Sequence, residues 1–220
     1  HEALKDSSGL WRHAENYLYY TYQKDYSKVE PVLSRIYNEA EGEDLETWGR
    51  IAALASLSGL LEQSTLLKAL QVKNSTDAWK GATNVWAYPE NVKQFGAQCF
   101  ACIETGLKEE SPHASIVAHE VAGLLRDDEV ALFIPIELMQ LFFNVLESRT
   151  EEKNHELFGI AEWWRAASLL DPEYALSVTE VYLAYVTKCR LDLYDDRNSF
   201  PQLITHLFRD RKSTRLNSSH

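Results

Sequence analysis

The sequence predicts an all-α protein built from antiparallel helical hairpins. Apolar residues recur at helical spacing through most of its 220 residues, prolines stand where helices should begin, and no convincing alternating strand interrupts the pattern. About ten helices, joined by short connections such as "NSTD" from Asn74 and "RLDLYDDRNS" from Arg190, account for the chain.

Taken in order, the first candidate helix holds the aromatic run "ENYLYYTYQKDY", with Tyr17, Tyr19, Tyr20, Tyr22 and Tyr26. One helix cannot turn all five inward. Either Tyr19 or Tyr22 is exposed, as tyrosines at protein interfaces are, or the cluster packs on a preceding helix. Further on, "DAWKGATNVW" is followed by Tyr88-Pro89-Glu90, and Pro is harmless at the first position of a helix but disruptive inside one. Ser111-Pro112 and Asp171-Pro172-Glu173 are the clearest helix starts, each with a capping side chain before the Pro. Pro135 and Pro201 are assigned the same part.

In "HELFGIAEWWRAASLLD", Leu157, Ile160, Ala161, Trp164 and Ala167 form one stripe, while Phe158, Trp163, Ala166 and Leu170 lie around the other side. A helix apolar on two sides is packed on two sides. Tyr19, Tyr22 and Trp163 are the candidate protein-binding residues. A local phrase, Trp then a basic residue with Ala three places after the Trp, recurs at Trp11, Trp79 and Trp164. The last two copies are followed by Pro89-Glu90 and Pro172-Glu173, which marks a degenerate αα-hairpin repeat, although no fixed period emerges.

Composition narrows the function. A hydrophobic content of 45% in a chain of this length supports one sizeable core or a short repeat array. The net charge of -11 repels phosphate backbones, so no nucleic-acid partner is expected. Three cysteines do not make a disulfide framework and fit a reducing compartment, the cytoplasm by default. The most apolar run, Val130 to Leu146, is broken by Pro135, Glu137, Gln140 and Asn144 and falls short of the ~20 residues of a membrane span, so it reads as a buried helix.

Candidate chemistry is sparse. Cys99-Phe100-Ala101-Cys102 with His113 and His119 comes near a zinc-finger spacing, but the cysteines share an apolar stripe with Val92, Phe95 and Ile103 and read as core. The two histidines, six apart on the next helix, lie on different faces. Glu110-x-x-His113 and Glu152-x-x-His155 have di-iron spacing but fall in loops or at helix starts. "RDDE" from Arg126 and "YDDRN" from Tyr194 are acidic enough for Mg²⁺, yet lone Asp clusters at helix ends usually cap or turn the chain. No phosphate-binding loop, nucleophile elbow or H-E-x-x-H occurs, so no catalytic residue, cofactor or metal is assigned.

The chain opens on His1-Glu2-Ala3 and its one methionine is Met139, so it reads as a piece of a longer protein. Asp210 to His220, "DRKSTRLNSSH", resembles the translation of a common sequencing adapter. Residues 1–209 are therefore taken as a single helical domain, and 210–220 as a tail with neither fold nor function. Without the tail's net two positive charges, the remainder carries -13.

The stretch "DAWKGATNVWAYPENVKQFGAQCFACIETGL", with the later "LLDPEYALSVTEVYLAYV" and "LYDDRNSFPQLITHLFR", resembles the C-terminal helical region of large bacterial signal-transduction NTPases of the STAND or NACHT-like kind. Several of these act in anti-phage defence. The resemblance implies an irregular HEAT- or TPR-like solenoid that serves as protein-binding sensor and oligomerisation scaffold, with the NTPase core upstream. Two contrasting expectations stay open: an all-α enzyme whose acidic loops bind a metal, and a purely structural helical domain.

Overall fold

The computed structural model describes residues 14–108, 111–148 and 159–188, and among these the protein is all-helical, with no strand. Trp11, Glu110, Glu152-x-x-His155, Cys189, "YDDRN", Pro201 and the 210–220 tail lie outside the described residues.

The helices are α1 (Glu15–Lys24), α2 (Glu30–Glu39), α3 (Glu43–Leu57), α4 (Gln63–Lys73), α5 (Thr76–Trp86) and α6 (Pro89–Leu107). They continue as α7 (Ala114–Leu124), the short α8 (Asp128–Ala131), α9 (Ile136–Ser148), α10 (Ile160–Leu170), α11 (Pro172–Ser177) and α12 (Thr179–Lys188). Pro89 and Pro172 sit at helix starts as expected, and the Asp171 carboxylate accepts from the Glu173 and Tyr174 amides. Pro112 and Pro135 lie just ahead of α7 and α9 rather than inside them. Ser111 Oγ accepts from the His113 amide in the turn, and His113 then takes the cap position of α7 without a side-chain cap bond.

Successive helices double back, which leaves them in two rows. In one row α1 packs on α3, α3 on α5, α5 on α7 and α7 on α10; in the other α4 packs on α6, α6 on α9 and α9 on α12. Tyr37 joins α2 to α4, its hydroxyl donating to the Ala69 carbonyl while Lys73 Nζ donates to the Tyr37 carbonyl. The tightest seam is α3 against α5, where Gly49 and Gly81 let the two backbones meet. A Cβ on Gly49 would overlap the Ala78 carbonyl, and one on Gly81 the Glu46 carbonyl.

One core runs along both rows. Its largest buried side chains are Trp79, Trp86, Trp163 and Trp164, so each Trp of the described repeat phrases is an interior residue. Trp164 Nε1 donates to the Ala175 carbonyl and to Thr179 Oγ1, tying α10 to the helices that follow. In α6 the backbone leaves helical geometry at Phe95 (φ -128°, ψ 27°), and the Cys99 thiol reaches across that kink to the Asn91 carbonyl at 3.7 Å.

The bonds between hairpins cover comparable lengths of chain. Side-chain hydrogen bonds that link neighbouring hairpins among the described residues span 32 to 45 positions of sequence.

Candidate functional site

Leu18 and Tyr22, one helical turn apart, fix which face of α1 is interior. Tyr22 is only 7% exposed, and its phenol shares a hydrogen bond with Ser58 Oγ at 3.4 Å, so the hydroxyl is satisfied where it is buried. This corrects the expectation that places Tyr22 at a binding surface. Tyr19 is half-buried and packs edge-on against both Tyr20 and Tyr22, at 5.7 Å in each case. The exposed members of the run are Tyr17 and Tyr20.

Trp163 is also corrected. It lies wholly inside, its ring stacked on Phe142 at 4.3 Å and its Nε1 donating to the Ala118 carbonyl at 3.0 Å. The second apolar side of α10 is thus covered by α7 and α9 and offers nothing to a partner. Pattern alone shows that a side is apolar; only packing shows that it is covered.

Cys99 and Cys102 are core, as their stripe predicts, and burial pushes both thiols up to about 12. His113 is buried at the start of α7, with Nε2 2.9 Å from Asn74 Oδ1, Nδ1 3.3 Å from Thr76 Oγ1, and its ring stacked on Trp79. One neutral tautomer meets both contacts: Nε2–H donates to Asn74 and Nδ1 accepts from Thr76. Desolvation holds its pKa below the ordinary imidazole value. His119 is exposed, and the two histidines do not converge.

The acidic "RDDE" divides between local structure and ion pairs. Asp127 accepts from the Glu129 and Val130 amides at the start of α8, Asp128 pairs with Arg165, and Arg126 pairs with Glu162 at 3.2 Å. Among the described residues, no three His, Cys, Asp or Glu side chains gather so as to hold an ion.

The charges of the first row form a ladder. Arg50 bridges Glu15 and Glu46, and Lys80 reaches the same Glu46 carboxylate at 3.0 Å. Beside it the half-buried Glu120 carboxyl is raised by burial, against the pull of His119, Lys80 and Arg50. The basic residue of each described Trp phrase thereby acquires a role: Lys80 ties α5 back to α3, and Arg165 ties α10 to the Leu125 carbonyl and to Asp128. These ions bind hairpin to hairpin, and they are arranged as glue between helices.

Large apolar side chains left exposed include several in the turns that close hairpins. Leu60 (47% exposed) lies between α3 and α4, Tyr88 (55%) between α5 and α6, and Leu132 and Phe133 (58% and 59%) between α8 and α9. Sequence reading passes over them because a single apolar residue beside a turn looks like the last contact of a helix. Their shared trait, at least one in each of three successive turns, exists only once the hairpins are placed. Comparisons with protein families, with curated proteins and with solved structures find no match to the chain.

Proposed function

We propose that the chain is a non-catalytic helical repeat segment, an irregular HEAT- or TPR-like solenoid that binds protein as the sensor or scaffold of a larger bacterial STAND- or NACHT-like NTPase. The reading places it in the cytoplasm, with oligomerisation acting through the intact parent and a role in anti-phage defence. What supports it is the comparable sequence span of the inter-hairpin bonds. Spans of 32 to 45 residues fall close to the ~34 to 47 residues of αα-hairpin repeat units, in which each unit touches only its neighbours. Such arrays expose long faces and work by recognition, shifting an attached domain between resting and assembled states.

Recovering the coding sequence that precedes His1 tests the sensor version. A phosphate-binding loop in the same frame is the expected result; a complete frame without a nucleotide-binding domain would sink it.

A further inference from the structure

We propose that the hairpin turns carrying Leu60, Tyr88, Leu132 and Phe133 form one docking edge for a basic amphipathic helix of a protein partner. The proposal rests on the protein-binding reading above and names the surface and the chemistry it takes.

The first observation is placement. Glu15 near the start of α1 bonds Arg50 of α3, and Tyr22 near its end bonds Ser58 just past the end of α3, so these two helices run in the same direction. Tyr37, at the end of α2 just ahead of α3, meets Ala69 and Lys73 near the end of α4 just ahead of α5, so α3 and α5 start at one end, and Thr76 at the start of α5 meets His113 at the start of α7, which sets that pair likewise. Turns that lead out of this row into the return helices therefore share one end of the stack. Three consecutive hairpins each present a large apolar side chain there, more than half exposed at Tyr88, Leu132 and Phe133.

The second observation is charge. The turns and the return helices they lead into carry exposed carboxylates: Glu62 before α4, Glu90 in α6, Glu129 in the short α8 and Glu137 in α9. Each is a full negative charge against the ~0.5 positive charge of a helix N-terminus, so the edge stays negative after the dipoles are counted. Four cations share this end, Lys24, Lys28, Lys93 and Arg126, of which Lys28 is paired with Asp25 and Arg126 with Glu162. An apolar line flanked by carboxylates selects a partner with an apolar stripe flanked by Lys or Arg.

Spacing decides the shape of that partner. Helices in contact lie ~8–10 Å apart, so three successive turns extend over ~20 Å. An α-helix rising 1.5 Å per residue covers that in about 14 residues, and positions seven apart recur every ~10 Å on one face. One partner side chain then meets each turn.

The test titrates the protein, followed by tryptophan fluorescence and sedimentation, with a synthetic 18-residue Leu/Lys amphipathic peptide and its Leu/Glu counterpart. The Leu/Lys peptide should bind and the Leu/Glu peptide should not. The triple variant Tyr88→Ser, Leu132→Ser, Phe133→Ser should weaken binding at least about tenfold while keeping native circular dichroism, and Val72→Ser, an exposed site near the far end of α4, should leave it unchanged. Equal binding by the triple variant would overturn the edge while leaving the protein-binding reading in place. Binding of the Leu/Glu peptide, or of neither peptide, would overturn the charge assignment. Dimers of the wild type that dissociate in the triple variant would assign the edge to a second copy instead. The underlying reading fails separately, on the upstream coding sequence.

Discussion

Gly81 of α5 rests on the backbone of Glu46 in α3, with no room for a Cβ between Gly81 and the Glu46 carbonyl. The seam needs glycine for space. Gly81→Ala must push two helices apart across the ion pairs of Glu46, and we expect a loss of about 2–3 kcal/mol in chemical denaturation. Gly123→Ala is the matched control, because a Cβ on this exposed α7 residue meets nothing within 4 Å. There the smaller entropy cost of Ala should leave stability unchanged or raise it by about 0.5–1 kcal/mol.

Protonation of His113 opposes folding. Its pKa is lowered in the fold by burial, so the unfolded chain binds the proton more readily. Stability is then full above the ordinary imidazole value of 6.5 and falls as pH drops through it toward the lower value in the fold. Glu120, raised by burial, acts with the opposite sign above its ordinary value of 4.5, so the comparison must be made between variants. Denaturation midpoints from pH 7.5 to 5 should decline in the wild type and decline less in His113→Gln. Parallel curves would rule out His113 as the source.

Trp163 is predicted to matter for stability. Trp163→Ala removes the stack on Phe142 and leaves a large cavity between α7, α9 and α10, at a cost of about 3–5 kcal/mol. Tyr20→Ser, at an exposed position of α1, should change stability by no more than about 0.5 kcal/mol. Thermal and denaturant melts of both distinguish an interior ring from a surface one.

The Asp171 cap offers a smaller effect. Asp171→Ala orphans the Glu173 and Tyr174 amides at the start of α11 and should cost about 1 kcal/mol, while Asp171→Asn should recover most of it. Denaturant midpoints of the two variants check the order.

Pro89 and Pro172 were readable as helix starts because their chemistry is local, and Cys99 and Cys102 as core because neighbours on the same helix set their face. Tyr22 was not readable, since four of the six residues from Tyr17 to Tyr22 are Tyr and no charged residue among them marks the outward side. The comparable span of the inter-hairpin bonds escaped for a different reason. Equivalent links are made by unlike chemistry: Glu15 with Arg50, Glu46 with Lys80, Asn74 with His113, Ala118 with Trp163. A search for repeated letters sees none of this, and the exposed turns of the proposed edge depend on the same placement of the helices.

Hydrogen exchange on Trp163→Ala tests the central claim, that the hairpins stack as an array of neighbours, most directly. In such an array damage stays near its source. Amides of α7, α9 and α10 should exchange faster while those of α3 and α5 keep wild-type protection. An equal loss of protection from α1 to α12 would mean one indivisible core, and would contradict the array and the sensor reading built on it.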